Sequence, residues 1–172
     1  KEGNFDEANQ WFDKAIDLTI QGYGTIHPQI STLHLEQSKM YLENENYQHA
    51  LESAQRALIT MSATFESEDV TSNPNREEVL NEKLFIDILR QKGAVFQGLA
   101  KKENNRQNLA LALNQYQAAT ETIDYIRRGY LSESAKLYLQ NNAVKVYQAA
   151  IETCYQLKHQ SESELYLDKA FY

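Results

Sequence analysis

The amino-acid sequence predicts an all-α protein made of antiparallel helical hairpins, and three observations support this fold class. Its 172 residues include only two prolines and six glycines, so few positions interrupt a helix. Helix-forming Ala, Leu, Gln, Glu and Lys fill much of the remainder. One helical face, an aromatic residue followed by two alanines, recurs along the chain. We expect about seven helices and no strand.

The recurring face is clearest near the start of the chain. Two copies align at a constant offset of 42 residues, which pairs Phe5, Ala8 and Ala15 with Tyr47, Ala50 and Ala57. Spacings of three and seven place each trio on one side of an α-helix, where small residues let a second helix approach closely. The face returns, with a longer period, as Leu109, Ala112, Tyr116 and Ala119, and its first half returns as Leu167 and Ala170.

Each copy of this face is preceded by another amphipathic segment, at 28–43, 76–102 and 133–158. The repeating unit is therefore a pair of helices. We predict one array over residues 1–172, with hairpins at 1–21 (partial), 28–63, 76–127 and 133–172 (partial). Its first residues resemble the turn between two helices, which suggests a piece of a longer protein.

The boundaries of these helices are predicted from capping residues and breakers. Pro28 suits the first turn of a helix. Asn73 or Asn75 caps the helix predicted at residue 76, with Glu77 and Glu78 near its positive end.

The connections between the helices are polar. The segment 62–75 is predicted to be a loop and 101–106 a turn. Gly129 is expected to end a helix, and Ser132 or Ser134 to begin the next one.

The segments Gly3 to Ala15 and Tyr41 to Ala57 resemble the tetratricopeptide repeat, in which an aromatic closes the first helix and two alanines mark the second. The linker 23–28 is similar to the 42-residue variety found in kinesin light chains. The resemblance implies a right-handed superhelix of stacked hairpins. The third hairpin has about two extra helical turns, and His34 and Gln37 stand where such repeats carry apolar residues, which predicts a looser or more polar core.

A second resemblance concerns the C-terminal part of the chain. The stretch from Ile126 through Tyr147, Ala150 and Tyr155 to the segment 167–171 is similar to the region that precedes the peptidase-like domain of bacterial CHAT-domain proteins. It implies that the chain is the regulatory or recognition arm of a larger protein.

The tetratricopeptide resemblance also implies a concave groove lined by the first helix of each hairpin. The groove residues it implies are Thr32, Leu35, Lys39, Asp87, Arg90, Ala94 and Gln97. Lys39 and Arg90 would attract an acidic or carboxylate-bearing segment. The asparagines of a carboxylate clamp are missing at these positions, so a true clamp is not expected.

The charge and composition of the chain limit the classes of partner that it can bind. The net charge is −7, from 24 acidic and 17 basic residues, so nucleic acid and anionic lipid are repelled. No apolar run has the length of a membrane span. The single cysteine, Cys154, favours a reducing compartment, and we expect a cytoplasmic location.

The reactive residues give no indication of catalysis or of metal binding. His27, His49 and His159 are expected at the surface, and His34 is expected to be half-buried and hydrogen-bonded to its neighbours. Cys154 lies on the apolar face of its helix, as a core residue would. The acidic loop around residues 66–69 lacks the pattern of a calcium loop, and the eleven tyrosines are expected to pack between helices with their hydroxyls reaching solvent.

Two functions fit these observations. The first is a protein–protein interaction scaffold that binds a peptide segment or a neighbouring domain, without enzymatic activity, cofactor or metal. The alternative is a peptide-sensing helical-repeat regulator of bacterial signalling.

Overall fold

The computed structural model describes residues 2–129 and 133–159, with side-chain surroundings for 5–129, 139 and 142–158. The helices are α1 (Glu2–Tyr23), α2 (Pro28–Glu43), α3 (Tyr47–Ile59), α4 (Glu82–Glu103), α5 (Arg106–Gly129) and α6 (Glu133–His159). A 3₁₀ turn, Arg76–Glu78, lies between α3 and α4. Over these ranges the only extended pairing is an isolated bridge between Ser62 and Val79, so the predicted all-α class is confirmed.

The chain forms two compact units, Lys1–Ile88 and Leu89–Tyr172, and their boundary falls inside α4. The first unit contains α1, α2, α3 and the beginning of α4. The second contains the remainder of α4 together with α5 and α6. The helix predicted near Leu167 and Ala170 lies outside the described residues.

The predicted turn at the start of the chain is wrong, because α1 already begins at Glu2. Glycine and asparagine at positions 3 and 4 are tolerated there, since N–H groups in the first turn of a helix have no intrahelical partner. α1 ends at Tyr23, and Gly24 follows it in the linker at a φ of 82°. The His27 ring then caps α2, because its Nδ1 accepts a hydrogen bond from the backbone N–H of Gln29 at 3.2 Å.

The start of α4 was predicted six residues too early. The helix begins at Glu82, and its cap is Asn81, whose Oδ1 accepts a hydrogen bond from the Leu84 backbone N–H at 3.0 Å. The residues before it form the 3₁₀ turn and an extended stretch that returns to the end of α3, where the Leu80 N–H donates to the Met61 carbonyl at 3.0 Å. This pairing closes the predicted loop 62–75, which is confirmed.

The boundaries of the later helices lie close to those predicted from the sequence. A turn separates α4 from α5, with Asn104 at a φ of 49°, and α5 ends at Gly129. α6 begins at Glu133, while Ser132 lies outside the described residues. His159 is the last residue of α6.

The α2–α3 contact is the tightest helix contact of the first unit. Ala50, Ala54 and Ala57 are fully buried along α3. The Ser38 hydroxyl of α2 donates to the Ala50 carbonyl at 2.7 Å, so the two helices approach at a point where neither carries a large side chain. The predicted alanine face is therefore a contact face.

The α1–α2 contact is polar at its centre. The side-chain amide of Gln37 donates to Asn9 Oδ1 at 2.8 Å and to Asp13 Oδ1 at 3.2 Å. The Tyr41 hydroxyl also donates to Asn9 Oδ1, at 2.8 Å, and His34 Nδ1 lies 3.4 Å from Gln37 Oε1. The polar core that His34 and Gln37 predicted is thus confirmed, and its polar groups are hydrogen-bonded to one another.

Candidate functional site

The outer face of α2 carries part of the predicted groove. Thr32 is exposed and Lys39 is half-buried. Thr32 Oγ1 donates to the Pro28 carbonyl at 2.9 Å, and Lys39 Nζ lies 2.6 Å from Glu36 Oε1. Glu36 was not among the predicted residues, although its position three residues before Lys39 places it on the same face.

Leu35 does not belong to this face. Its side chain is only 3% exposed, so it contributes to the core of the first unit and offers no surface to a partner. The reason is geometric: Leu35 follows Ile30 and Ser31 on the buried side of α2, while Thr32 and Glu36 occupy the opposite side.

The remaining predicted residues lie on α4 and are half-buried. Asp87 belongs to the first unit, whereas Arg90, Ala94 and Gln97 belong to the second. The seven residues therefore fall into groups of four and three, and a groove shared by both groups stays a prediction.

Gln97 is the predicted residue with the most defined surroundings. Its Oε1 accepts a hydrogen bond from the Tyr116 hydroxyl at 2.7 Å, and its Nε2 donates to Thr153 Oγ1 at 2.7 Å. The side-chain amide is thus fixed between α5 and α6. Burial raises the pKa of Tyr116 well above its usual range, so the hydroxyl keeps its proton and remains the donor.

The solvated hydroxyl predicted for most tyrosines is wrong for Tyr116. This residue is 1% exposed, because Gly93 on α4 leaves room for its ring. A hydroxyl buried in this way needs an internal partner, which Gln97 supplies.

A cavity of about 460 Å³ lies beside Gln97 in the second unit. Its walls come from α4, α5 and α6, and its lining residues are Gln97, Gly98, Ala100, Lys101, Asn104, Leu109, Glu152 and Gln156. Lys101 and Glu152 supply opposite charges, and the glutamine and asparagine side chains supply both donors and acceptors. Such a lining suits a zwitterionic or amide-containing ligand.

A second cavity, of about 450 Å³, lies in the first unit between α3 and the loop 62–75. Arg56 and Glu52 line it from α3, while Glu68 and Asp69 line it from the loop. The loop is attached to the helix through the Gln55 side-chain amide, which donates to the Ser67 carbonyl at 2.6 Å. Sequence patterns did not indicate this cavity, because its two walls meet through a contact between residues twelve positions apart.

The histidines and the cysteine take structural positions. His34 is buried and contacts Gln37, as predicted, although it is more buried than expected. His27 stacks on the Tyr23 ring with centroids 4.5 Å apart, and His49 is exposed with its Nδ1 2.8 Å from Asn46 Oδ1. Cys154 is fully buried in α6, as predicted.

The described residues contain neither a metal-binding cluster nor a membrane-spanning helix. No group of three or more His, Cys, Asp or Glu side chains comes together there in a way that could hold a metal ion. No helix in the same ranges combines the length and the apolar character that crossing a membrane requires.

Comparison of the chain with family models, with curated proteins and with solved structures finds no match in any of the three.

Proposed function

We propose that the chain is a protein-interaction scaffold that binds a peptide segment or a neighbouring domain in a concave groove lined by the outer faces of its first helices. The observation that supports this most is the α2–α3 hairpin. Its buried alanines hold the two helices in close contact, so the outer face of α2 is presented on a rigid support.

The proposal includes the tetratricopeptide-like arrangement, in which stacked hairpins form a right-handed superhelix with the first helices on the concave side. In one form of the proposal, the scaffold is the regulatory arm of a CHAT-type protein. It assigns binding to the chain, and neither catalysis nor a cofactor.

The chemistry of the α2 face favours a partner that carries a carboxylate. Lys39 is paired with Glu36, but both side chains are more than a third exposed. Exposed pairs of this kind contribute about 0–1 kcal/mol. A carboxylate of the partner can therefore replace Glu36 at Lys39 at little cost, while the Thr32 hydroxyl lies on the same helix face.

A second candidate function is the sensing of a short peptide, and the cavity beside Gln97 favours it. A volume of about 460 Å³ falls within the range of small-ligand sites. The fixed amide of Gln97, with Lys101 and Glu152, suits the backbone and termini of a peptide of a few residues.

Selection from a displayed library of ten-residue peptides would test the scaffold. We expect the selected peptides to be rich in Asp and Glu. Their affinity should fall about tenfold in Lys39→Glu and should decrease as salt is raised, because the attraction is between exposed charges. Lys145→Glu is the matched control, since it makes the same charge change at an exposed position of α6.

Three results would count against the scaffold. The first is a folded, helical protein that selects no peptide. The second is an equal loss of affinity in Lys39→Glu and Lys145→Glu. The third is selection only of peptides whose binding is abolished by Gln97→Ala and unchanged by Lys39→Glu, which would favour the sensing function instead.

A further inference from the structure

The side-chain amide of Gln97, which lines the cavity between α4, α5 and α6, is held in one orientation. Thr153 Oγ1 donates its only hydrogen to the Ala149 carbonyl at 2.7 Å, so it must accept the hydrogen bond from Gln97 Nε2. The buried Tyr116 hydroxyl donates to Gln97 Oε1. The amide nitrogen therefore faces α6, and the amide oxygen faces α5.

These two bonds use only half of the hydrogen-bonding capacity of the Gln97 amide. One N–H group and one oxygen lone pair remain, and no other residue in the described part of the chain binds them. A donor and an acceptor on one rigid amide are complementary to the C=O and N–H groups of a peptide bond. Gln97 is therefore suited to bind the main chain of a ligand.

Two opposite charges line the same cavity, on Lys101 of α4 and Glu152 of α6. Within the described ranges, neither side chain forms an ion pair with the other or with a third residue. Glu152 also acts on Tyr116: burial is the main cause of the raised pKa of this tyrosine, Arg90 lowers that pKa, and the Glu152 carboxylate raises it. The charge of Glu152 therefore lies near the hydroxyl that binds Gln97.

Helices α4 and α6 run in the same direction. A turn of two residues joins α4 to α5, and these helices form an antiparallel hairpin. The Tyr147 hydroxyl of α6 donates to Asp124 of α5 at 3.0 Å. Further along α6, Thr153 is joined through Gln97 to Tyr116, which lies earlier in α5. Since α5 is antiparallel to both of its neighbours, α4 and α6 are parallel to each other.

This arrangement sets the distance between the two charges. Lys101 lies four residues beyond Gln97, which is about 6 Å along the helix. Glu152 directly precedes Thr153, so it lies level with Gln97. A peptide extends by about 3.5 Å per residue. Two residues therefore span the separation between Glu152 and Lys101, whereas a single amino acid is too short.

We propose that this cavity binds a dipeptide with free ends, whose ammonium group pairs with Glu152, whose peptide group binds the Gln97 amide and whose carboxylate pairs with Lys101. The inference rests on the sensing function proposed for the cavity, and it adds the size and the direction of the ligand. Ala100 and Leu109 line the cavity at the Lys101 end, so we expect an apolar side chain on the second residue of the dipeptide.

A series of ligands, titrated by calorimetry against the full chain, tests each contact without altering the protein. The ligands are alanyl-leucine, its N-acetyl and C-terminal amide derivatives, the ester analogue in which oxygen replaces the peptide N–H group, and leucine. We expect alanyl-leucine to bind, each derivative to bind about tenfold more weakly, and leucine not to bind.

Matched variants assign the two charged contacts. Acetylation of the ligand should leave the Kd unchanged in Glu152→Gln, because the carboxylate that holds the ammonium group is already absent, and amidation should leave it unchanged in Lys101→Met. Glu121→Gln and Lys145→Met are the controls, since both residues are exposed elsewhere in the second unit. Both controls should bind all the ligands as the parent does.

The contrary outcomes are distinct. A derivative that binds the parent as tightly as alanyl-leucine overturns the contact that it removes, and an equal loss in Glu152→Gln and Glu121→Gln overturns the pairing with the ammonium group. If alanyl-leucine does not bind, while longer peptides bind and lose affinity in Gln97→Ala, the dipeptide is wrong and the sensing function stands. If no peptide of any length binds in a way that depends on Gln97, the sensing function fails as well.

Discussion

The α2–α3 contact and the α4–α5 contact both bring two helices close together, but they do so with different residues. In the first, fully buried alanines on α3 meet a serine of α2 whose hydroxyl donates to the α3 backbone. In the second, Gly93 of α4 lies against the ring of Tyr116 on α5. One contact places small residues on the second helix, and the other places a large ring there and the smallest residue opposite it. The recurring helix face therefore fixes where a contact occurs but not which side provides the space.

Among the substitutions that test this comparison, Gly93→Ala is expected to have the largest effect on stability. A Cβ atom added there would lie 2.4 Å from Cε1 of Tyr116, far inside contact distance, and the Tyr116 side chain is buried with its hydroxyl bound to Gln97. We expect Gly93→Ala to lower the free energy of unfolding by about 3 kcal/mol, even though alanine favours a helix by about 1 kcal/mol over glycine. Urea denaturation followed by circular dichroism measures this loss.

Gly22 provides the control for that substitution. It lies near the end of α1 with no heavy atom within 4 Å of an added Cβ. Gly22→Ala should therefore be neutral or should stabilise by about 0.5 kcal/mol. Tyr116→Leu should remove most of the additional cost of Gly93→Ala in a double-mutant cycle, and additive effects would show that the ring is not the obstacle.

A smaller effect is expected at the alanines of α3. Ala50 and Ala57 have no exposed surface, so Ala50→Leu or Ala57→Leu should overpack the contact with α2 and cost about 1–3 kcal/mol. Ala15→Leu is the matched control, because Ala15 aligns with Ala57 but is only half-buried. The free energy of unfolding of Ala15→Leu should stay within about 0.5 kcal/mol of the parent. An equal loss at Ala15 and Ala57 would show that Ala15 is packed as closely as Ala57, contrary to this expectation.

Much of the fold could be predicted from local signals. The aromatic and alanine spacing located α3 and α5, Pro28 marked the start of α2, and Gly129 marked the end of α5. The start of α4 was missed because residues 76–81 have helix-compatible composition. Residues 76–78 instead form a 3₁₀ turn, and Val79 and Leu80 pair with the residues after α3; no local pattern records such a pairing.

The candidate site could be predicted only in part. The tetratricopeptide resemblance implied that Thr32, Leu35 and Lys39 face one groove. Thr32 is exposed and Lys39 is half-buried, whereas Leu35 is buried in the core. The environment of Gln97 depends on a bond to Thr153, 56 residues away, and on the space above Gly93. Contacts over such sequence separations arise from tertiary packing, so residue patterns within one helix do not reveal them.

The smallest predicted effect is a loss of stability in acid, which we expect in the first unit and not from the buried tyrosine of the second. The α1–α2 contact contains His34, whose pKa is lowered from its ordinary value of 6.5, chiefly by burial; a nearby charge on Arg56 lowers it further, while Gln37 and Asp13 act in the opposite direction. In the second unit, burial raises the pKa of Tyr116, so its hydroxyl stays protonated in acid.

Because the histidine binds a proton more weakly in the folded state, the unfolded state takes up that proton first as the pH falls through about 6.5. This contribution to stability is complete well above that pH and is lost progressively as the pH falls below it. We expect the urea midpoint of the parent to fall between about pH 7 and pH 5, and the fall to be smaller in His34→Gln, which cannot be protonated. His49→Gln is the control, since His49 is exposed, and it should keep the full dependence of the parent. If His34→Gln and the parent lost stability in parallel between pH 7 and pH 5, the acid sensitivity would belong to carboxylates, and His34 would not be the titrating group at the α1–α2 contact.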